Sequence, residues 1–303
     1  LGGFRGGLSS LTAPQLGSIE IKAAVERAGV APAQVQEVIM GCVLPAGLGQ
    51  APARQAALGA GLPLSAGCTT INKVCGSGMK ATMLAHDLIL AGSNEVMVAG
   101  GMESMSNAPY LLPKARAGYR LGHGQMFDHM FLDGLEDSYS KENKGRLMGT
   151  FAEDCAGHFN FTRQAQDEFA IASTTRAQAA INNGDFSWEV VPVTVASRKG
   201  DVVVDKDEQP LKAQIDKIPG LKPAFKKDGT VTPANSSSIS DGAAALVLMR
   251  KSTADKLGLK PVATIVGHAT HAQEPALFTT APVGAMQKVL AKAGWSTDDV
   301  DLW

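Results

Sequence analysis

Two stretches near opposite ends of the 303-residue chain repeat each other, and this repeat limits the fold more than any other feature. Residues 21–38 (IKAAVERAGVAPAQVQEV) and 286–303 (MQKVLAKAGWSTDDVDLW) align without a gap. In each, an amphipathic helical pattern runs into Ala-Gly, at Ala28-Gly29 and Ala293-Gly294. Small or polar positions follow, and apolar residues resume at Val35 and Val38 or at Val300 and Trp303. A glycine after a helix is ordinary C-cap chemistry by itself. The shared spacing of helix, cap, turn and strand start predicts a duplicated α/β unit. Residues 262–270 (VATIVGHAT) supply a strand pattern ahead of the second helix, with no counterpart ahead of the first. Conversely, residues 38–101 read as strand, loop, strand, Cys75, helix and strand, and nothing equivalent follows Trp303. The repeat therefore predicts about 15 residues before Leu1 and about 70 or more after Trp303 in the natural protein, leaving the second half incomplete.

Between the copies, residues 107–238 differ in character, with Gly, Pro and charged residues scattered among short elements, and read as a long insertion. The expected division is a first half of residues 1–106 and 239–258, an inserted domain of residues 107–238, and the start of a second half at residues 259–303. Within the insertion, residues 162–183 open on Thr162, carry Asp167 and Glu168 early and repeat apolar residues at helical spacing, which predicts a capped helix. Residues 188–195 (WEVVPVTV) and 201–205 read as a hairpin turning over residues 197–200. Beyond the insertion, residues 241–249 (DGAAALVLM) read as a buried strand and residues 252–257 as a helix start.

Composition excludes several classes. Lys and Arg number 28 against 29 Asp and Glu, for a net charge of −1, and the densest basic run, LKPAFKK at 221–227, is short, so no nucleic-acid partner is expected. No apolar run approaches the roughly 18 residues that would cross a bilayer, so no membrane partner is expected either. Cys42, Cys68, Cys75 and Cys155 show neither C-x-x-C nor His-paired spacing, and His268 and His271 lack a third ligand nearby, which argues against a metal site. Four unpaired thiols suit a reducing, cytoplasmic setting.

One thiol stands apart. Residues 68–74 (CTTINKV) read as an extended segment and residues 79–91 (MKATMLAHDLILA) as a helix, placing Cys75-Gly76-Ser77-Gly78 at a strand-to-helix turn. Helix N-termini present unsatisfied N–H groups and partial positive charge, which stabilise a thiolate and can bind the oxyanion of an attacked carbonyl. Gly76 and Gly78 remove side chains from the approach and permit a sharp turn. Cys42, Cys68 and Cys155 carry no such context and read as packing residues. His86, about three turns along the helix, lies too far away to serve as base. The pattern alone leaves acyltransfer, redox and hydrolytic cysteine chemistry open.

The runs NKVCGSGMKA (72–81) and VAGGMESMS (98–106) resemble the nucleophile region of the thiolases. RGGLSSLTAPQL (5–16), DGTVTPANSSSISDGAAA (228–245) and residues 294–302 are similar to further thiolase segments in the same order, so the resemblance spans essentially the whole chain. It implies a duplicated αβαβα, five-layered fold with an inserted loop domain. It implies a transferase, an acetyl-CoA acetyltransferase of bacterial type, in which Cys75 takes an acyl group from one acyl-CoA and a second acetyl-CoA condenses onto it. Run backwards, the reaction cleaves acetoacetyl-CoA. Longer-chain 3-ketoacyl-CoA thiolysis in fatty acid metabolism, a ketoacyl synthase and a non-catalytic coenzyme-A-binding scaffold are the rival readings.

By the same resemblance, Met148, Ala234, Ser237 and Phe278 meet coenzyme A or its acyl group, no cofactor beyond coenzyme A thioesters is needed, and residues 110–135 join subunits into a homodimer or homotetramer. Local alternatives stand beside these assignments: the serines at 236–240 as a turn, Met148 as packing. Leu147 departs from the histidine, and residues 209–221 from the arginine, that some relatives carry; Lys212, Lys217 or Lys222 would then attract the nucleotide phosphates. The family's G-H-P, C-x-G-G-G and N-E-A-F motifs do not occur in these 303 residues. General acid–base help worth about 10²–10⁴-fold per step is thus missing. The 303-residue polypeptide alone is expected to have negligible thiolase activity and to be poorly soluble.

Overall fold

A computed structural model describes residues 1–303. The strands are β1 (Gly2–Gly3), β2 (Glu37–Gly41), β3 (Gly67–Ile71), β4 (Val96–Ser104), β5 (Tyr110–Leu111), β6 (Phe127–Asp128), β7 (Val193–Val195), β8 (Val202–Val204) and β9 (Ser240–Met249). The α-helices are α1 (Ala13–Arg27), α2 (Pro52–Gly59), α3 (Ser77–Ala91), α4 (Met148–His158), α5 (Arg163–Asn183), α6 (Glu208–Lys212), α7 (Lys251–Lys256) and α8 (Ala281–Ala293). They fall into two compact units, one of residues 1–135, 172–215 and 237–260, the other of residues 136–171, 216–236 and 261–303.

The first unit is built on a mixed five-stranded sheet in the order β1-β9-β4-β2-β3. Strands β3, β2 and β4 run parallel, and β9 returns antiparallel along β4. Alternation along β2 assigns the faces. Val38 and Met40 point into one core with Ile21 and Val25 of α1 and Ala53, Ala56 and Ala57 of α2. Ile39, between them, points the other way, to Ala81, Ala85 and Ile89 of α3. Burial on both faces explains why EVIMG and VMVAGG read as apolar runs rather than as alternating ones.

The internal repeat reappears as matched local geometry. Helix α1 is followed by Gly29 at φ +68 and a 3-10 turn at Pro32–Gln34; α8 is followed by Gly294 at φ +69 and a 3-10 turn at Thr297–Asp299. The left-handed conformation costs an L side chain but not glycine, which is why the two Ala-Gly pairs mark the same corner.

Three sequence expectations need correction. Residues 262–270 form no strand, because the second unit contains no strand to supply a hydrogen-bonding ladder; Val262 is 89% exposed. Of residues 188–195 only Val193–Val195 pair, since the partner β8 is three residues long, although the hairpin turn falls where expected, with Gly200 donating to the Ser197 carbonyl at 3.1 Å. Strand β9 is half-buried rather than buried. Strand β1 covers only its first two residues, the outer edge beyond them is unpaired, and Leu246 is 54% exposed. Helix α5, by contrast, starts where its cap predicted, with the Thr162 hydroxyl accepting from the Ala165 amide at 3.1 Å.

Candidate active site

Strand β3 ends at Ile71 and α3 begins at Ser77, so the five residues between them carry Cys75 round the corner. Cys75 is exposed and α3 starts two residues later, beyond the N-cap Gly76. The backbone of this corner is held from both sides of one residue. The amide of Val74 donates to Asn72 Oδ1 at 2.8 Å, while its carbonyl accepts from the Ser77 hydroxyl at 2.6 Å; Ser77 Oγ also accepts from the Lys73 amide at 2.8 Å. Between these clamps Val74 sits at φ +46. A β-branched residue in the left-handed region is a genuine outlier. Strain of this kind persists only where the surroundings over-determine it, and it gathers at functional positions.

This corrects the expected role of the glycines. Gly76 has φ −86 and Gly78 lies within the helix, so Val74 and not a glycine takes the unusual conformation. The glycines that shape the site act by close approach. A Cβ on Gly41, at the end of β2, would lie 2.5 Å from Ser77 Cβ and 2.7 Å from the Gly78 nitrogen. A Cβ on Gly101 of β4 would lie 3.3 Å from Gly78 Cα. The first turn of α3 therefore rests on bare sheet backbone. The amides of Gly76 and Ser77 are spent on the Lys73 and Val74 carbonyls, at 3.1 Å each. Those of Gly78 and Met79 have no acceptor among the chain's hydrogen bonds and are the N–H groups this helix end leaves for an anion.

Linked to the corner is a half-buried carboxylate that the sequence reading did not single out. Glu103, on β4, accepts from the Val43 amide at 2.8 Å and the Leu44 amide at 3.0 Å, and the Cys42 thiol lies 3.7 Å from its Oε1. Burial pushes the Glu103 carboxyl above the usual carboxylate range, against the opposing effect of the two amides. Burial, with the Glu103 charge beside it, pushes the Cys42 thiol up to about 12, which makes Cys42 a packing residue as expected. His129 Nε2 accepts from the Ala46 amide at 3.4 Å, which leaves Nδ1 to donate to Asp133 Oδ2 at 2.6 Å. Cys68 is partly buried, with its thiol on the Ala66 carbonyl, and Cys155 is partly buried in α4.

The residues expected at coenzyme A are distributed as follows. Met148 opens α4 half-buried, after Leu147 at the N-cap. In the same unit Phe278, on the 3-10 helix Pro275–Thr280, meets Phe151 of α4 edge-on with ring centroids 6.3 Å apart. Ala234 is half-buried in a turn, its amide donating to Thr232 Oγ1 at 3.2 Å. Ser237 is exposed in the other unit; its neighbour Ser238 pairs with Ser240 at 2.8 Å, so the serine run does form local turn bonds. Lys212 lies 3.3 Å from Glu208, a carboxylate that also accepts from the Gly3 and Gly7 amides. Its charge is therefore partly committed within the protein.

Residues 1–252 match the family model "Thiolase, N-terminal domain" and residues 259–303 match "Thiolase, C-terminal domain", so the chain belongs to the thiolase family. Among its relatives, "Acetyl-CoA acetyltransferase 2" of Arabidopsis thaliana is 53% identical over all of this chain and 75% of its own length. "Acetyl-CoA acetyltransferase" of Cupriavidus necator is 50% identical over all of this chain and 76% of its own length. The solved structure of acetyl-CoA acetyltransferase from Syntrophomonas wolfei superposes with a TM-score of 0.94 at 42% identity, over all of this chain and 75% of that one. The duplicated thiolase fold expected from the sequence is thereby established.

Proposed function

We propose that this chain is an acyltransferase of the acetyl-CoA acetyltransferase type, with Cys75 as the nucleophile that captures an acetyl group from acetyl-CoA. The observation that carries this reading is the exposed Cys75 thiol, held ahead of α3 by a clamped left-handed residue, beside two amides with no internal acceptor. The sulfur attacks the thioester carbonyl, and a new carbon–sulfur bond forms as the bond to coenzyme A breaks. The thiol's proton leaves with the coenzyme A sulfur. The backbone amides at the start of α3, that of Cys75 included, would meet the carbonyl oxygen as it gathers charge, the arrangement that stabilises a tetrahedral intermediate. Condensation with a second acetyl-CoA then gives acetoacetyl-CoA, and the reverse direction cleaves it.

Relatives named for acetyl-CoA support the two-carbon unit over longer chains. Met148, Ala234, Ser237 and Phe278 are proposed as coenzyme A contacts, and residues 110–135, where Leu121 is 99% exposed, as a contact between subunits of a homodimer or homotetramer. The proposed division remains two thiolase halves, residues 1–106 with 239–258 and residues 259–303, around an insertion of residues 107–238. No helix is long and apolar enough to cross a membrane; the four unpaired thiols support a reducing, cytoplasmic setting.

Incubation with acetyl-CoA followed by peptide mass spectrometry tests the assignment. One acetyl group is expected on Cys75, none on Cys42, and none anywhere in Cys75→Ser. Acetylation at another thiol, or equal acetylation of Cys75→Ser, overturns it. In the 303-residue chain slow acylation without turnover is expected, since the resemblance places the histidine that activates Cys75 and the cysteine that moves the second substrate's proton in motifs these residues do not contain.

A further inference from the structure

The clamp on Val74 does not end at Asn72. The Asn72 side-chain amide donates to the Val43 carbonyl at 3.3 Å, and the amides of Val43 and Leu44 are the two held by Glu103. An unbroken hydrogen-bonded line thus runs from β4, through the segment after β2, to the residue immediately before the thiol. Each link has one job. Glu103 fixes the plane of the Val43–Leu44 peptide by taking the Leu44 N–H; the opposite side of that peptide presents the Val43 carbonyl to Asn72. Asn72 is then oriented so that its Oδ1 meets the Val74 amide.

We infer that Glu103 is a positioning residue for Cys75, acting through Val43 and Asn72 to impose the left-handed turn that aims the sulfur along the start of α3. The inference rests on the reading of Cys75 as nucleophile only for its acylation arm. The geometric arm stands without it. Glu103 touches neither Cys75 nor its substrate in this scheme. Its carboxylate is suited to the task because one residue must satisfy two adjacent N–H groups, and only a carboxylate presents two acceptors with no donor. Removing the carboxylate leaves both amides without their acceptor.

The test is a double-mutant cycle read on the intact 303-residue chain, with Glu103→Ala, Asn72→Ala and the double variant. Iodoacetamide alkylation at neutral pH is followed separately at Cys75 and at Cys68, the latter an internal gauge of fold integrity on β3. Asn72 is exposed, so its truncation leaves the core untouched. Misplacement of a reacting group by about 1 Å can cost of the order of 10²-fold. Each single variant is expected to slow Cys75 by about tenfold or more, with Cys68 within about twofold of wild type. The double variant is expected to be no slower than Asn72→Ala, because both changes cut one line.

Glu103→Gln preserves shape but turns one N–H donor toward another, and is expected to recover part of the rate lost in Glu103→Ala. It also keeps the test usable should the alanine variant fail to fold. Effects that multiply in the double variant, an unchanged Cys75 rate in both Glu103 variants, or a parallel change at Cys68 would each overturn the inference. Acetyl-CoA labelling separates the two readings. If wild-type Cys75 alkylates and obeys the cycle yet takes no acetyl group, the proposed function fails and the positioning role stands. Where acetylation occurs, its maximal rate should fall in Glu103→Ala while the half-saturating acetyl-CoA concentration holds; a rise in the latter alone counts against positioning.

Discussion

Adding one methyl group at Gly41 should disable Cys75 without touching it. The Cβ of Gly41→Ala would lie 2.5 Å from Ser77 Cβ and 2.7 Å from both the Ser77 carbonyl carbon and the Gly78 nitrogen. Carbon atoms in contact sit at about 3.5–4.0 Å, so the start of α3 must retreat by about 1 Å or more. Two of the three nearest atoms are backbone, and no rotamer change relieves them. Overpacking of this kind costs about 1–3 kcal/mol, while a 1 Å displacement of a reacting group can cost of the order of 10²-fold in rate. Gly41→Ala should therefore show a modestly lowered denaturation midpoint and a fall in Cys75 acetylation far larger than that loss accounts for. Paired urea melts and timed acetyl-CoA labelling measure the two effects. A variant that melts lower but labels at the wild-type rate would refute the claim that bare sheet backbone seats the helix.

Two further outcomes follow from features away from that contact. Val74→Gly removes a left-handed strain of about 1–2 kcal/mol and adds a glycine entropy cost of about 0.5–1 kcal/mol, so urea melts should show unchanged to slightly raised stability; a clear loss would mean that φ +46 carries no strain. Glu208 is partly buried, which alone would raise its carboxyl, but the Gly3 and Gly7 amides and Lys212 outweigh burial and hold it below its usual value of 4.5. A depressed folded-state value contributes stability that is present above the unfolded value and lost as pH falls through the folded one. The stability gap between wild type and Glu208→Gln should accordingly shrink as pH drops below about 4.5; a gap that is constant with pH would refute it.

The parts of the fold that were legible in the sequence are those decided locally. Gly29 and Gly294 announce left-handed caps because glycine alone enters that region freely, and Thr162 announces a helix because its hydroxyl serves the backbone three residues on. Cys75 was legible as the thiol ahead of a helix for the same reason. What escaped depends on distant neighbours. Residues 262–270 have strand composition, but a strand exists only where another backbone lies alongside. The left-handed Val74 contradicts its own preference and is imposed by Asn72 and Ser77. An Asn two residues before a turn residue was the one available signal, as an Asx-type bond. Glu103 reads only as a polar residue in a strand, since its partners at Val43 and Leu44 are about sixty positions away.

Because α3 meets the sheet at its first turn through glycines, and only farther along through Ala81, Ala85 and Ile89, thermal resistance and thiol chemistry are governed by different stretches of one helix. Substitutions at the distal apolar positions should shift the melting temperature over a wide range while the sulfur keeps its place. A stabilised variant can be sought there at little risk to reactivity, whereas residues 41, 74 and 77 tolerate almost no such freedom.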